Sequence, residues 1–130
     1  MRKFVIAAAI VAAIGPGLAA DVGGLPQHIG ECARTSIKSI GERLVDGQTN
    51  APIPGSGSAV SFVNGASQVS YEQIPAVDNS RRGDPVRLCL ASIPQNCPPG
   101  DNRCRKYRTA NLRTHQSWLL PDSEHSCGGA

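Results

Sequence analysis

From Ala59 to Gln73 the chain reads AVSFVNGASQVSYEQ, with apolar and polar residues alternating on both sides of Asn64-Gly65. A period of two is the pattern of a strand with one buried face. Asn-Gly tolerates the positive φ of a tight hairpin turn. A two-residue loop sets Val60 opposite Val69; a four-residue loop sets Val60 opposite Tyr71 and Phe62 opposite Val69. Either register turns Val60, Phe62, Val69 and Tyr71 toward the core.

Later segments alternate in the same way. In VRLCLASI, 86–93, Val86, Leu88 and Leu90 point inward against Arg87, Cys89 and Ala91, and Pro94 ends the run. Residues 105–110 form a polar strand, and Gln116 to Leu120 a short one with Trp118 and Leu120 on one face. ECARTSIKSIGERLV, 31–45, fits two templates. Ala33, Ile37, Ile40 and Leu44 share a helical face, but the interior Gly41 and the Thr, Ser and Ile content favour a strand, with a bulge near Ser39-Ile40. Turn chemistry fills 46–58, 75–85 and Pro98-Pro99-Gly100-Asp101. Five to six short strands spaced by turns predict an all-β fold, a small antiparallel barrel or sandwich, with the strands in up-and-down order. An α+β fold with one N-terminal helix at about 33–45 is the alternative.

Ahead of this pattern Arg2 and Lys3 precede an uncharged apolar run, Phe4 to Ile14, followed by Gly15-Pro16-Gly17 and Leu18-Ala19-Ala20. That is the layout of a secretory signal peptide over 1–20. The run is too short to span a bilayer, which takes roughly 20 residues. The expectation is one exported β domain, 21–130, periplasmic or extracellular, without a membrane span. The 13 basic and 10 acidic residues become 11 and 10 once Arg2 and Lys3 are removed, so net charge does not imply a polyanion partner. The distribution is uneven: residues 81–113 hold eight basic and two acidic groups.

An exported domain with few aromatics gains from cross-links, and Cys32, Cys89, Cys97, Cys104 and Cys127 supply them. No C-x-x-C pair occurs, which argues against zinc and against a thioredoxin-like site. Cys32, Cys89, Cys97 and Cys127 are the disulfide candidates, and Cys104, between Arg103 and Arg105, is the candidate free thiol and a point for disulfide-linked dimerisation. The meander gathers Cys32, Cys97, Cys104 and Cys127 at one end, which favours Cys32–Cys127 with Cys89–Cys97; Cys32–Cys97 with Cys89–Cys127 is the rival. Sequence alone leaves the connectivity open.

The remaining chemistry is sparse. Arg103, Arg105, Lys106, Arg108 and Arg113 form a candidate basic patch with Tyr107 inside it. On a strand these charges split over two faces, which suits an exposed edge strand better than a nucleic-acid track. Asp122-Ser123-Glu124-His125 lacks the spacing of a hydrolytic triad. His28, His115 and His125 share no motif, and Arg82-Gly83-Asp84 is ordinary turn chemistry. No catalytic residue, metal or cofactor is assigned.

The strings SGSAVSFVNG, QVSYE, CPPGDNR, NLRT, SWLLPDSEH and the closing CGGA together resemble a group of small exported bacterial proteins to which no activity is attached. The resemblance therefore transfers no catalytic residue. In that pattern glycine stands where this chain has Cys104, and Thr-Gly where it has Thr114-His115. The function expected is that of a non-enzymatic exported module binding a protein or envelope component, an inhibitor-like role being one version. A small hydrolase or thiol-dependent enzyme, and polyanion binding through residues 103–113, are the alternatives.

Overall fold

The structure, a computed structural model, describes residues 20–129; the expected signal peptide, apart from Ala20, lies outside the described residues. Six strands and one short helix follow in order: β1 (Cys32–Glu42), β2 (Ser58–Phe62), β3 (Ser67–Val69), α1 (Pro75–Asp78), β4 (Pro85–Ser92), β5 (Lys106–Asn111) and β6 (Ser117–Pro121). They form one antiparallel sheet in the order β3-β2-β1-β4-β5-β6. The fold is all-β and disulfide-bonded, as the alternation predicted. The strand order is not the expected meander: β1 is central, and the chain crosses from β3 to β4 through α1.

Residues 33–45 are not helical. β1 pairs with β4 through residues 32–36 and with β2 through residues 37–42, with a register shift between Ile37 and Ser39. This bulge bends the strand between its two partners. It also explains the helical look of the sequence. The inward positions run Ala33, Thr35, Ile37 and then Ile40, because the bulge adds one residue, and three of these coincide with a helical stripe. Leu44, the fourth member of that stripe, is 40% exposed.

The β2–β3 hairpin takes neither expected register. Phe62 N–H donates to Ala66 O at 2.9 Å and Gly65 N–H to Phe62 O at 3.1 Å, so Val63, Asn64 and Gly65 make a three-residue link with Gly65 at φ 92°. That is a turn closed by a left-handed residue. An odd loop reverses the parity of β3. Val60 now pairs with Gln68, and the inward set is Val60, Phe62, Ala66 and Gln68. Val69 is only half-buried and Tyr71 is 60% exposed, which corrects their expected burial.

The core consists of Ile37, Val60, Phe62, Ala66, Val77, Val86, Leu88, Leu90, Tyr107, Trp118 and Leu120. Val77 is fully buried from α1, which packs against β1, β2 and β6. Gln68, 1% exposed, spans the sheet's two ends. Its Nε2 donates to Tyr107 O at 2.7 Å and Leu120 O at 3.0 Å. Its Oε1 accepts from Thr109 Oγ1 at 2.7 Å and Trp118 Nε1 at 2.8 Å. Two donors and two acceptor sites are the full capacity of the amide.

The four cysteine candidates pair, but as Cys32–Cys89 and Cys97–Cys127, with Cys104 free. Both expected pairing schemes are corrected by the strand order. With β1 beside β4, Cys32 and Cys89 are directly opposed, their Cα atoms 4.0 Å apart. Cys97 and Cys127 are then left to tie the β4–β5 loop to the C-terminal tail. Links over 57 and 30 residues contribute about 3–4 kcal/mol each in the loop-entropy account.

Gln68→Ala should cost at least about 3 kcal/mol in urea unfolding, because a buried polar group left without a partner costs about 1–3 kcal/mol. Ser67→Ala, one exposed residue away, should change stability by less than about 0.5 kcal/mol. Similar small losses at both positions would show that Gln68 does not hold the sheet closed.

Candidate functional site

The five residues of the expected basic patch do not assemble. Arg103 is spent on Asp101, with Nε–Oδ1 at 3.0 Å and Nη2–Oδ2 at 2.9 Å, and also donates to Gly129 O at 3.0 Å. Asp101 in turn accepts from Gly128 N–H at 2.9 Å, stapling the turn to the tail beside Cys97–Cys127. Arg105 turns toward Gln27, with Nη1–Oε1 at 3.4 Å. Arg113 binds Asp84 through Nε at 2.6 Å and Nη2 at 2.9 Å. Lys106 and Arg108 remain exposed. The strand that carries them is also not an edge: β5 lies between β4 and β6, and the edges are β3 and β6. Its inward face is Tyr107, Thr109 and Asn111, all buried.

Lys106 and Arg108 instead join cations from distant sequence on the outer face of the sheet. Arg34 pairs with Arg87 across β1 and β4. Cys32, Cys89, Arg108 and Leu119 make the next outward row, and Ser92 opposes Lys106 beyond it. Asp21 bridges the two arginines, with Oδ2 3.0 Å from Arg34 Nε and Oδ1 3.1 Å from both Arg87 Nε and Nη2. The alternation of residues 86–93 already turns Arg87 outward. Arg34 became its neighbour only through the β1–β4 pairing, which no local signal announces.

Asp84 shows the opposite use of charge. It is 5% exposed and accepts from Arg113, from Asn111 Nδ2 at 2.9 Å and from Arg81 N–H at 2.8 Å. Arg113 holds its carboxyl well below the usual carboxylate range; burial opposes this, and the Asn111 and Arg81 bonds add to the lowering. The Arg-Gly-Asp tripeptide therefore does not present its acid to solvent.

Cys104 is half-buried at φ 72°, and its N–H donates to Asp122 Oδ1 at 2.7 Å. It lines an open cleft of about 340 Å³ between the ends of β3 and β6, with Tyr71, Pro121, Ser123 and Glu124 among the other walls. Glu124 is engaged by Arg43 at 2.9 Å, whose guanidinium lies 4.3 Å from the Tyr71 ring centroid. None of the three histidines lines this cleft. His28 Nδ1 lies 3.0 Å from Glu31 Oε1, His115 sits in the β5–β6 turn at φ 60°, and His125 follows β6 in the tail. Ser123 accepts from the His125 backbone N–H at 3.2 Å, not from its ring. Among the described residues, no group of three or more His, Cys, Asp or Glu is placed to hold a metal ion.

Comparison with family models, curated proteins and solved structures returned no match to this chain.

Two measurements test these assignments. Unfolded aspartate titrates near 3.9, and Asp84 sits lower when folded, so the stability that Arg113 supplies is complete at neutral pH and is lost as pH falls through the folded value. The stability gap between wild type and Arg113→Gln in urea unfolding should therefore be full at pH 7 and shrink between about pH 4 and pH 2. A constant gap would mean that Arg113 acts other than through the Asp84 carboxylate. The left-handed backbone at Cys104 costs a side-chain-bearing residue about 1–2 kcal/mol. Cys104→Gly should accordingly be more stable than Cys104→Ala by about 1 kcal/mol; equal stabilities would contradict this backbone.

Proposed function

We propose that the protein is a non-enzymatic exported binding domain that engages its partner with the outer face of β1, β4 and β5. One observation carries this reading: Arg34, Arg87, Arg108 and Lys106 share that face around the Cys32–Cys89 bridge, on strands whose other side is the packed core. A side chain on such a strand is held in position before a partner arrives, which lowers the ordering cost of binding. Several other chemically capable groups serve the fold. Arg103, Arg113, Asp84 and Asp101 are closed into ion pairs, and the Ser123 hydroxyl caps a backbone N–H. The disulfides suit an oxidising location outside the cytoplasm. Among the described residues, no helix is long and apolar enough to cross a membrane.

The test compares the oxidised mature domain with a variant carrying Arg34→Gln, Arg87→Gln, Lys106→Gln and Arg108→Gln, both immobilised and exposed to envelope extract. The variant should lose what the wild type retains while unfolding within about 1 kcal/mol of it, since surface pairs contribute about 0–1 kcal/mol. Identical retention by the two would exclude the outer face as the binding surface.

A further inference from the structure

The strand register sets the outward cations in single file. Arg34 and Arg87 stand opposite each other on β1 and β4. Two residues beyond Arg87, Cys89 opposes Arg108 on β5, and Lys106 lies two residues further along that strand, opposite Ser92. With strands about 4.8 Å apart and about 6.8 Å between alternate residues, the file runs diagonally across three strands. Exposed Lys38, in the β1 bulge, continues it on the far side of Arg34. A surface of anions would match a two-dimensional array; a file matches a chain of anions.

Asp21 shows what the narrowest step of this file accepts. Its two carboxylate oxygens are divided between the guanidinium groups, one to Arg34 and one to Arg87. Arg34 is 70% exposed and Arg87 32% exposed at their side chains, so both remain reachable from solvent. A phosphodiester also offers two unesterified oxygens, and guanidinium forks suit phosphate geometry. A tethered carboxylate holds an advantage over any single anion in solution. A polymer overcomes it by engaging the other cations at the same time. No aromatic side chain stands in the file, since Tyr107 faces the core at 4% exposure, so the face lacks a platform for stacking bases.

We propose that Lys38, Arg34, Arg87, Arg108 and Lys106 form a binding track for a linear, base-free phosphate polymer, with Asp21 as a resident anion that the polymer displaces. This rests on the outer-face reading above and names the partner's chemistry. Four or five phosphate contacts predict that log affinity falls with log salt at a slope of about −3, at about 0.7 per contact.

The experiment measures binding of short-chain inorganic polyphosphate to the oxidised mature domain between low and moderate salt. Single-stranded DNA, poly-glutamate and vesicles of anionic phospholipid are the comparison ligands at matched charge. Polyphosphate should bind most tightly, with the steep salt slope. Arg34→Gln with Arg87→Gln should weaken it at least about tenfold and make the slope shallower by about 1.4. Lys106→Gln with Arg108→Gln, which leaves Asp21 and its partners in place, should make the slope shallower by a similar amount. Asp21→Asn should strengthen binding severalfold, and that gain should vanish when Arg34 and Arg87 are also replaced. Polyphosphate affinity indifferent to both double substitutions, or to salt, overturns the track. DNA, poly-glutamate or vesicles binding more tightly through the same four residues overturns the phosphate-polymer assignment and leaves the binding-face reading standing. No binding in any arm, together with identical retention from envelope extract by wild type and the quadruple variant, overturns both.

Discussion

The Gln68 amide lies where the first and last strands of the curled sheet meet. A sheet that coils until β3 approaches β6 must either complete the ladder or leave two edges facing each other. Here one side chain does the joining: it reaches from β3 to carbonyls of β5 and β6 and accepts from Thr109 and Trp118. A buried amide is tolerable only when every donor and acceptor is matched. The Thr109 hydroxyl and the Trp118 indole are therefore as much a consequence of Gln68 as Gln68 is of them. The arrangement also depends on the three-residue hairpin link. An even-numbered loop would turn Gln68 to solvent and bring Val69 inward.

The central position of β1 organises the rest. Its N-terminal half belongs to β4 and its C-terminal half to β2, with the bulge between them. That division lets one strand serve both arms of the coil. It also places Cys32 against Cys89, so the first disulfide reinforces the junction of the two arms. The second disulfide works elsewhere, holding the β4–β5 loop to the tail, where the Gly128 N–H bond to Asp101 and the Arg103 bond to Gly129 O tie the same two segments.

Alternation made much of this legible. Val86, Leu88, Leu90, Trp118 and Leu120 are buried as their period of two required, and the bulge in β1 was visible as conflict between two periodicities. The composition of the disulfides, and Cys104 as the unpaired thiol, also followed from residue type and context. What depended on long-range order did not. The cysteine pairing and the Arg34–Arg87 step both require β1 beside β4, which is decided by the crossover through α1 and not by any local pattern. The hairpin parity failed for a subtler reason: Gln68 looks like a solvent-facing residue unless its four distant partners are known. Cys104 and His115 are instructive as well. Both have positive φ, 72° and 60°, a backbone that glycine adopts most easily.

The chain's arginines divide by what surrounds their carboxylates. Asp84 is 6% exposed at its side chain and accepts from Asn111 and from the Arg81 N–H besides Arg113's fork, so withdrawing that pair would strand a buried charge. Asp21 belongs to an exposed lead-in, and its pairing with an Arg34 that is 70% exposed is of the kind that contributes about 0–1 kcal/mol. The two networks use the same atoms to opposite ends. Around Asp84 the ion pair is part of the fold, and its carboxylate is buried. On the outer face the arginines are positioned by the sheet, and Asp21 is retained weakly enough for another anion to replace it. Rigid placement of the cations and weak retention of their counterion are the two conditions an electrostatic binding face requires. They occur together here because the strands position the arginines while a residue outside the strands supplies the acid.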